Sequence, residues 1–234
     1  MLTQIMRFQA PESLSEQIAQ HLGQRIIIGQ LKPGERIQEL KVAGELDVSR
    51  GSVREALLIL ERRHLIRIYP RKGAVVSALS PDLVNSLYDI YIHLLTMLVQ
   101  QVAEHWTERD LTPLLRQTQW LERLIAAPKP DTGEIIEAGF SVMQMCYPIV
   151  GNPYLEETLE NFRPAISRTY YLAMQQYRGE AERTQSFFRD LISYAQNRDK
   201  DGIARVISEF GDHQRAIVMD ALAANTELTS DVAS

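Results

Sequence analysis

Residues 49–73, SRGSVREALLILERRHLIRIYPRKG, constrain the chain most, because a capped amphipathic helix runs directly into two short β-branched segments split by a basic turn. Ser49 is a good N-cap, since its hydroxyl can accept one of the unpaired amide hydrogens of the first helical turn. Val53, Ala56, Leu57 and Leu60 recur at i, i+3, i+4 and i+7, which predicts one buried stripe. Arg50, Gly51, Ser52 and Arg54 stand off that stripe. Leu65–Tyr69 and Ala74–Val76 read as a hairpin whose turn is Pro70-Arg71-Lys72-Gly73. Upstream, a helix is predicted over about Ser13 to Ile28, ending at Gly29. A loop, Leu31 to Arg36, leads to a short helix over Gln38 to Leu46, with Leu40, Ala43 and Leu46 as its apolar side.

Helix, tight turn, helix and basic hairpin in this order read as a winged helix-turn-helix. Arg50 and Arg54 are one turn apart, and arginine suits bidentate contact with guanine or phosphate. Gly51 has no side chain, so the backbone there can approach a groove wall. Each element alone also fits a solvated surface; their combination points to nucleic acid. Charge divides accordingly. Residues 1–80 hold 12 Lys and Arg against 8 Asp and Glu, a net of +4, whereas the remainder holds 13 against 22, a net of −9. Only the N-terminal third suits a polyanion.

The segments Pro33-Gly34-Glu35-Arg36-Ile37, Val42-Ala43, Val48 to Leu57 and Pro70-Arg71-Lys72-Gly73-Ala74 resemble the DNA-binding domain of the GntR family of bacterial transcription regulators. The resemblance covers about a third of the chain. It implies binding to double-stranded operator DNA through Arg36, Ser49, Arg50, Gly51, Ser52, Arg54, Arg71, Lys72 and Gly73. Two departures fall inside it: Gly51-Ser52 stands where Thr-Pro is usual, and His64 where a glycine usually precedes the wing.

Beyond Ser80-Pro81 the pattern turns to long helical periods. Residues 82–105, 108–126, 134–147, 153–176, 181–197 and 200–224 each carry apolar side chains at three- and four-residue spacing, separated by Pro- and Gly-containing breaks that include Pro148. The expected fold is mainly α: a winged helix-turn-helix over residues 1–80, then an antiparallel all-α bundle of six or seven helices over 81–224. Residues 225–234 are expected to form a frayed tail. A chain of 234 residues with 45% hydrophobic content can bury both cores. One cysteine, Cys146, excludes an internal disulfide, and no run reaches the ~20 apolar residues of a membrane span. The expected location is the cytoplasm, without a membrane partner.

A helical bundle behind such a domain resembles the FCD ligand-sensing domain of the FadR subfamily, through Leu87-Tyr88-Asp89-Ile90, Gly151-Asn152-Pro153-Tyr154-Leu155 and Arg198-Asp199. In that family an Asp and three His hold a divalent metal that binds a carboxylate effector. Aligned on Asn152 and Asp199, those four positions fall here at Gly139, Met143, Phe188 and Phe210, while the family's first-helix arginine and glutamate fall at Tyr91 and Leu95. Metal ions need imidazole or carboxylate donors at ~2 Å, so no metal cofactor is expected. Either an apolar effector, lined by Tyr91, Leu95, Gly139, Met143, Tyr147, Phe188 and Phe210, or a solid core takes its place. Tyr170 and Tyr171 could add polar contacts, and Arg163 and Arg168 are read as a solvated helix face.

Asp89 and His93 have metal-ligand spacing on one helix and His213 lies elsewhere, but no third ligand is evident, and His213 reads as a hydrogen-bonded interior residue. No catalytic signature occurs, so no enzyme activity is expected. The chain reads as a homodimeric regulator whose operator affinity responds to a small apolar effector, since one winged helix reads few base pairs and two-fold symmetry suits a palindrome. The alternative is a ligand-independent DNA-binding dimer whose bundle is only a dimerisation or partner-binding core.

Overall fold

Ser13 starts the first helix, α1 (Leu14–Ile27), by accepting a hydrogen bond from the Glu16 amide at 3.1 Å. In the computed structural model, which describes residues 13–177 and 179–231, the chain divides into two units between Ser77 and Ala78. In the first, Ile18, Leu22 and Ile26 of α1 are buried against α3 (Arg50–Arg62), whose stripe Val53, Ala56, Leu57 and Leu60 is at most 2% exposed. α2 (Glu39–Leu46) also packs on α3. Val42 and Ala43 are its buried residues, whereas Leu40, expected on the apolar side, is 67% exposed. An eight-residue helix has room for one narrow contact stripe, and α3 takes residues 42, 43 and 46.

The hairpin strands β2 (Ile66–Tyr69) and β3 (Gly73–Val76) pair antiparallel, with Ile66 opposite Val76 and Tyr69 opposite Gly73. The outer edge of β3 is taken by β1 (Arg36–Ile37), so the sheet has the order β1-β3-β2. Of these two residues, Arg36 was expected in a loop. They pair because the backbone groups of β3 need partners on both edges, and because Ile37 is buried when they do.

At the end of α3 the Leu65 amide donates to the Leu60 carbonyl at 3.1 Å and the His64 amide to Glu61 at 3.0 Å. This is a Schellman closure, and it puts His64 at φ 60°. A side chain in that region costs about 1 kcal/mol relative to glycine. His64→Gly should therefore raise the stability of the N-terminal unit by about 1 kcal/mol, read as an upward shift of its melting temperature; an unchanged or lower value would mean that the histidine side chain compensates locally.

The second unit is an all-α bundle of six helices among the described residues: α4 (Pro81–His105), α5 (Glu108–Ile125), α6 (Thr132–Val150), α7 (Pro153–Gln176), α8 (Glu180–Gln196) and α9 (Lys200–Asp231). α4 packs most extensively on α9, and α5 on α6. Gly211 of α9 permits the first contact, since a Cβ there would come within 2.5 Å of Ile92 Cδ1. Two boundaries differ from expectation. α6 continues through Pro148 to the Gly151 cap, because a proline removes only its own amide bond and the packed face of the helix outweighs that loss. α9 continues through residues 225–231, placed in the tail by sequence, because extending an existing helix adds one bond per residue fixed; residues 232–234 lie outside the described residues. Among the described residues, no helix is long and apolar enough to cross a membrane.

Candidate nucleic-acid interface and bundle cavity

The tip of α3 follows from its cap. Ser49 Oγ accepts from the Ser52 amide at 3.1 Å and lies 2.9 Å from Ser52 Oγ, which holds the first turn open to solvent. The Arg50 and Arg54 side chains there are 58% and 63% exposed. Both meet Glu39 of α2: Arg54 grips the carboxylate with two contacts, 3.3 Å from Nε and 3.0 Å from a terminal nitrogen, and Arg50 stands 3.6 Å away. The Arg54 hydrogen bond holds the Glu39 carboxyl below its usual range. Glu39 thus orients the two guanidinium groups and partly cancels their charge. Glu39 lies fifteen residues before Arg54 and on another helix, so no local pattern marks the pairing.

At the hairpin, Arg71 occupies a positive-φ turn position at 63°, and Lys72 Nζ sits 5.7 Å from the centre of the Tyr69 ring. Arg36, on β1, reaches the same tip: two of its guanidinium nitrogens lie 3.7 Å from where a Cβ on Gly73 would stand. Arg36, Arg71 and Lys72 are therefore all exposed at or beside one turn. Cations gathered in this way lower the cost of approach to phosphates.

In the bundle, α4, α6, α7, α8 and α9 together line a cavity of about 60 Å³. Tyr91 and Leu95 come from α4, Gly139 and Met143 from α6, Phe188 from α8 and Phe210 from α9. Tyr147 is buried but does not line it. Its place is three residues from Gln144 and four from Met143 on α6, and the cavity takes Cys146 from that turn instead. The wall also includes Phe140, Phe187 and Gln214, which the sequence reading did not select. Phe187 stacks on Phe210 at 4.1 Å, and Tyr170 meets Phe210 edge-on at 6.1 Å.

These side chains do not fit a metal ion. Phe188 fills the space beside Gly139, where a Cβ would come within 3.3 Å of the ring, so a glycine and a phenylalanine pack where ligands would have to converge. Tyr91 donates its hydroxyl to Met143 Sδ at 3.1 Å, and burial pushes the Cys146 thiol up to about 12, which keeps it protonated. Asp89 pairs with Arg215 at 2.8 Å, His93 Nδ1 donates to the Asp89 carbonyl, and His213 Nε2 meets Glu180 Oε1 at 2.6 Å. Among the described residues, no group of three or more His, Cys, Asp or Glu is placed to hold a metal. The two arginines of α7 are not a solvated face. Arg168 is 6% exposed, and Arg163 lies 5.3 Å over the Phe140 ring while pairing with Glu137 and Glu160. Their aliphatic stems pack within the bundle, which a charge count along the helix does not reveal.

Comparison with known proteins agrees with both units. Residues 14–76 match the family of bacterial regulatory proteins, gntR family, and residues 86–213 match the FCD domain. The uncharacterized HTH-type transcriptional regulator YdhC of Bacillus subtilis (strain 168) is 30% identical over 174 residues, 74% of this chain and 75% of that protein. The HTH-type transcriptional repressor RspR of Escherichia coli (strain K12) is 24% identical over 198 residues, 85% of this chain and 86% of that protein. The solved structure of E. coli McbR/YncC shares the fold, with a TM-score of 0.75 at 24% identity over 90% of this chain and 99% of that one.

Proposed function

Because the chain belongs to the GntR family of bacterial transcription regulators and carries an FCD domain, we propose that it acts as a cytoplasmic homodimer on a palindromic operator, released or recruited by a small apolar effector held in the bundle cavity. Base contacts are assigned to Arg50, Gly51, Ser52 and Arg54, and phosphate contacts to Arg36, Ser49, Arg71, Lys72 and Gly73. The observation that carries the effector assignment is the lining itself: Tyr91, Leu95, Gly139, Met143, Phe188 and Phe210 converge on one cavity whose wall, among the described residues, includes no charged side chain. Such a wall gains little from a small dicarboxylate, whereas buried apolar area contributes about 25 cal/mol per Å². For the effector to act, it must bind one arrangement of the dimer more tightly than the other.

The cavity size favours a second reading. A water molecule needs roughly 10–15 Å³ by the same measure, so this space takes only a few non-hydrogen atoms unless Met143 and the phenylalanines move. A ligand-independent dimerisation core would look the same. The test is a thermal melt and an operator titration with apolar aromatic and aliphatic compounds alongside citrate. The expected result is a higher melting temperature and altered operator affinity with the apolar set alone, both abolished in Met143→Trp with ligand-free DNA binding intact. A response to citrate alone would defeat the effector assignment, and no response to either set would leave the packed core as the function of the bundle.

A further inference from the structure

Beside the cavity, α8 and α9 are joined by a buried polar cluster. Glu180, 5% exposed, opens α8; its Oε1 accepts from His213 Nε2 and its Oε2 from Gln214 Nε2, each at 2.6 Å. Gln214 is 2% exposed and lines the cavity. Its amide orientation is set by chemistry: a carboxylate oxygen accepts hydrogen bonds, so the nitrogen must face Glu180 and the oxygen must face away. That Oε1 has no hydrogen-bond partner, and among the described residues Gln214 is the one cavity-lining residue with a buried side-chain atom in that condition. Two hydroxyl donors of the same wall are already engaged. Tyr91 gives its hydroxyl to Met143, and Thr184 gives its own to the Glu180 carbonyl at 2.8 Å.

A buried acceptor without a partner is costly, and folded proteins seldom retain one. We propose that Gln214 Oε1 is the recognition point for the effector, and that the effector is an uncharged, mainly apolar molecule bearing one hydroxyl or N–H donor. This rests on the cavity being the effector site, and it narrows the ligand class. An anion would find no cation in the wall. An ammonium would be stripped of water for a single neutral acceptor, because Glu180 is not among the residues that line the cavity. A neutral donor satisfies Gln214 and leaves the apolar wall to hold its body.

Phenol and toluene form a matched pair of probes, since they differ by a hydroxyl in place of a methyl group and are both neutral at pH 7. Calorimetric titration of the full-length protein should give phenol an affinity roughly tenfold above that of toluene, the scale of one hydrogen bond to a buried acceptor. Gln214→Met, which keeps the length of the side chain and removes the acceptor, should erase or reverse the preference. If that variant fails to fold, the ratio in the unaltered protein together with loss of both probes in Met143→Trp still decides. Toluene binding as tightly as phenol would overturn the proposal while leaving the cavity as an apolar effector site. A phenol preference that survives in Gln214→Met would overturn the assignment to Gln214, and failure of both probes to bind would overturn this proposal and the effector reading together.

Discussion

Arg50→Ala should weaken binding to the specific operator by roughly 1 to 3 kcal/mol, a loss on the order of 5- to 150-fold, while affinity for random duplex stays nearly unchanged. The expectation comes from its place on the first turn of α3, exposed and held near Glu39 in a conformation that keeps its donors together. Lys72→Ala should behave differently. A lysine at a hairpin tip meets phosphate, so both duplexes should lose affinity and the salt dependence should flatten by about one unit of slope. Electrophoretic titrations over a range of salt concentrations separate the two outcomes, and equal losses on both duplexes for Arg50→Ala would move that residue to the phosphate class. Glu39 adds an internal control: its carboxylate repels any phosphate brought to this tip, so Glu39→Gln should strengthen random-duplex binding and narrow the discrimination that Arg50 supplies.

Phe210→Ala should cost the C-terminal unit about 3 to 5 kcal/mol. Phe210 is 8% exposed, stacks on Phe187 and contacts Tyr170, so truncation removes a whole ring from the aromatic cluster and enlarges the neighbouring cavity. Urea unfolding followed in that unit measures the loss. Added toluene should then recover part of it by occupying the enlarged space, in proportion to its concentration over its dissociation constant. A loss below about 1 kcal/mol would show that the surrounding helices close over the site, and that the cluster is less rigid than its geometry implies.

Much of the fold was legible because its causes are local. Ser49 caps its helix with its own side chain, and the stripe Val53, Ala56, Leu57 and Leu60 buries one face of a single element. His64 is a case in which the residue type departed from the local rule and the backbone did not, since the turn after α3 requires positive φ whichever side chain stands there. Boundaries were less legible where packing overrode a local signal, as at Pro148 within α6 and at residues 225–231 of α9.

The amino-acid order by itself determined the helix-turn-helix and hairpin, the basic tip residues, the helical segments of the bundle, and the apolar character of Gly139, Met143, Phe188 and Phe210, because capping, periodicity and residue chemistry act within one element. Tertiary structure alone decided which residues meet. It joined Glu39 to Arg50 and Arg54, gave β3 its second edge partner in β1, and buried Arg168. It also brought Glu180 to His213 and Gln214, leaving one amide oxygen without a partner beside the cavity. Those contacts depend on how separate helices cross, and no pattern within a single helix specifies the crossing, since the same stripe can seat against several partners.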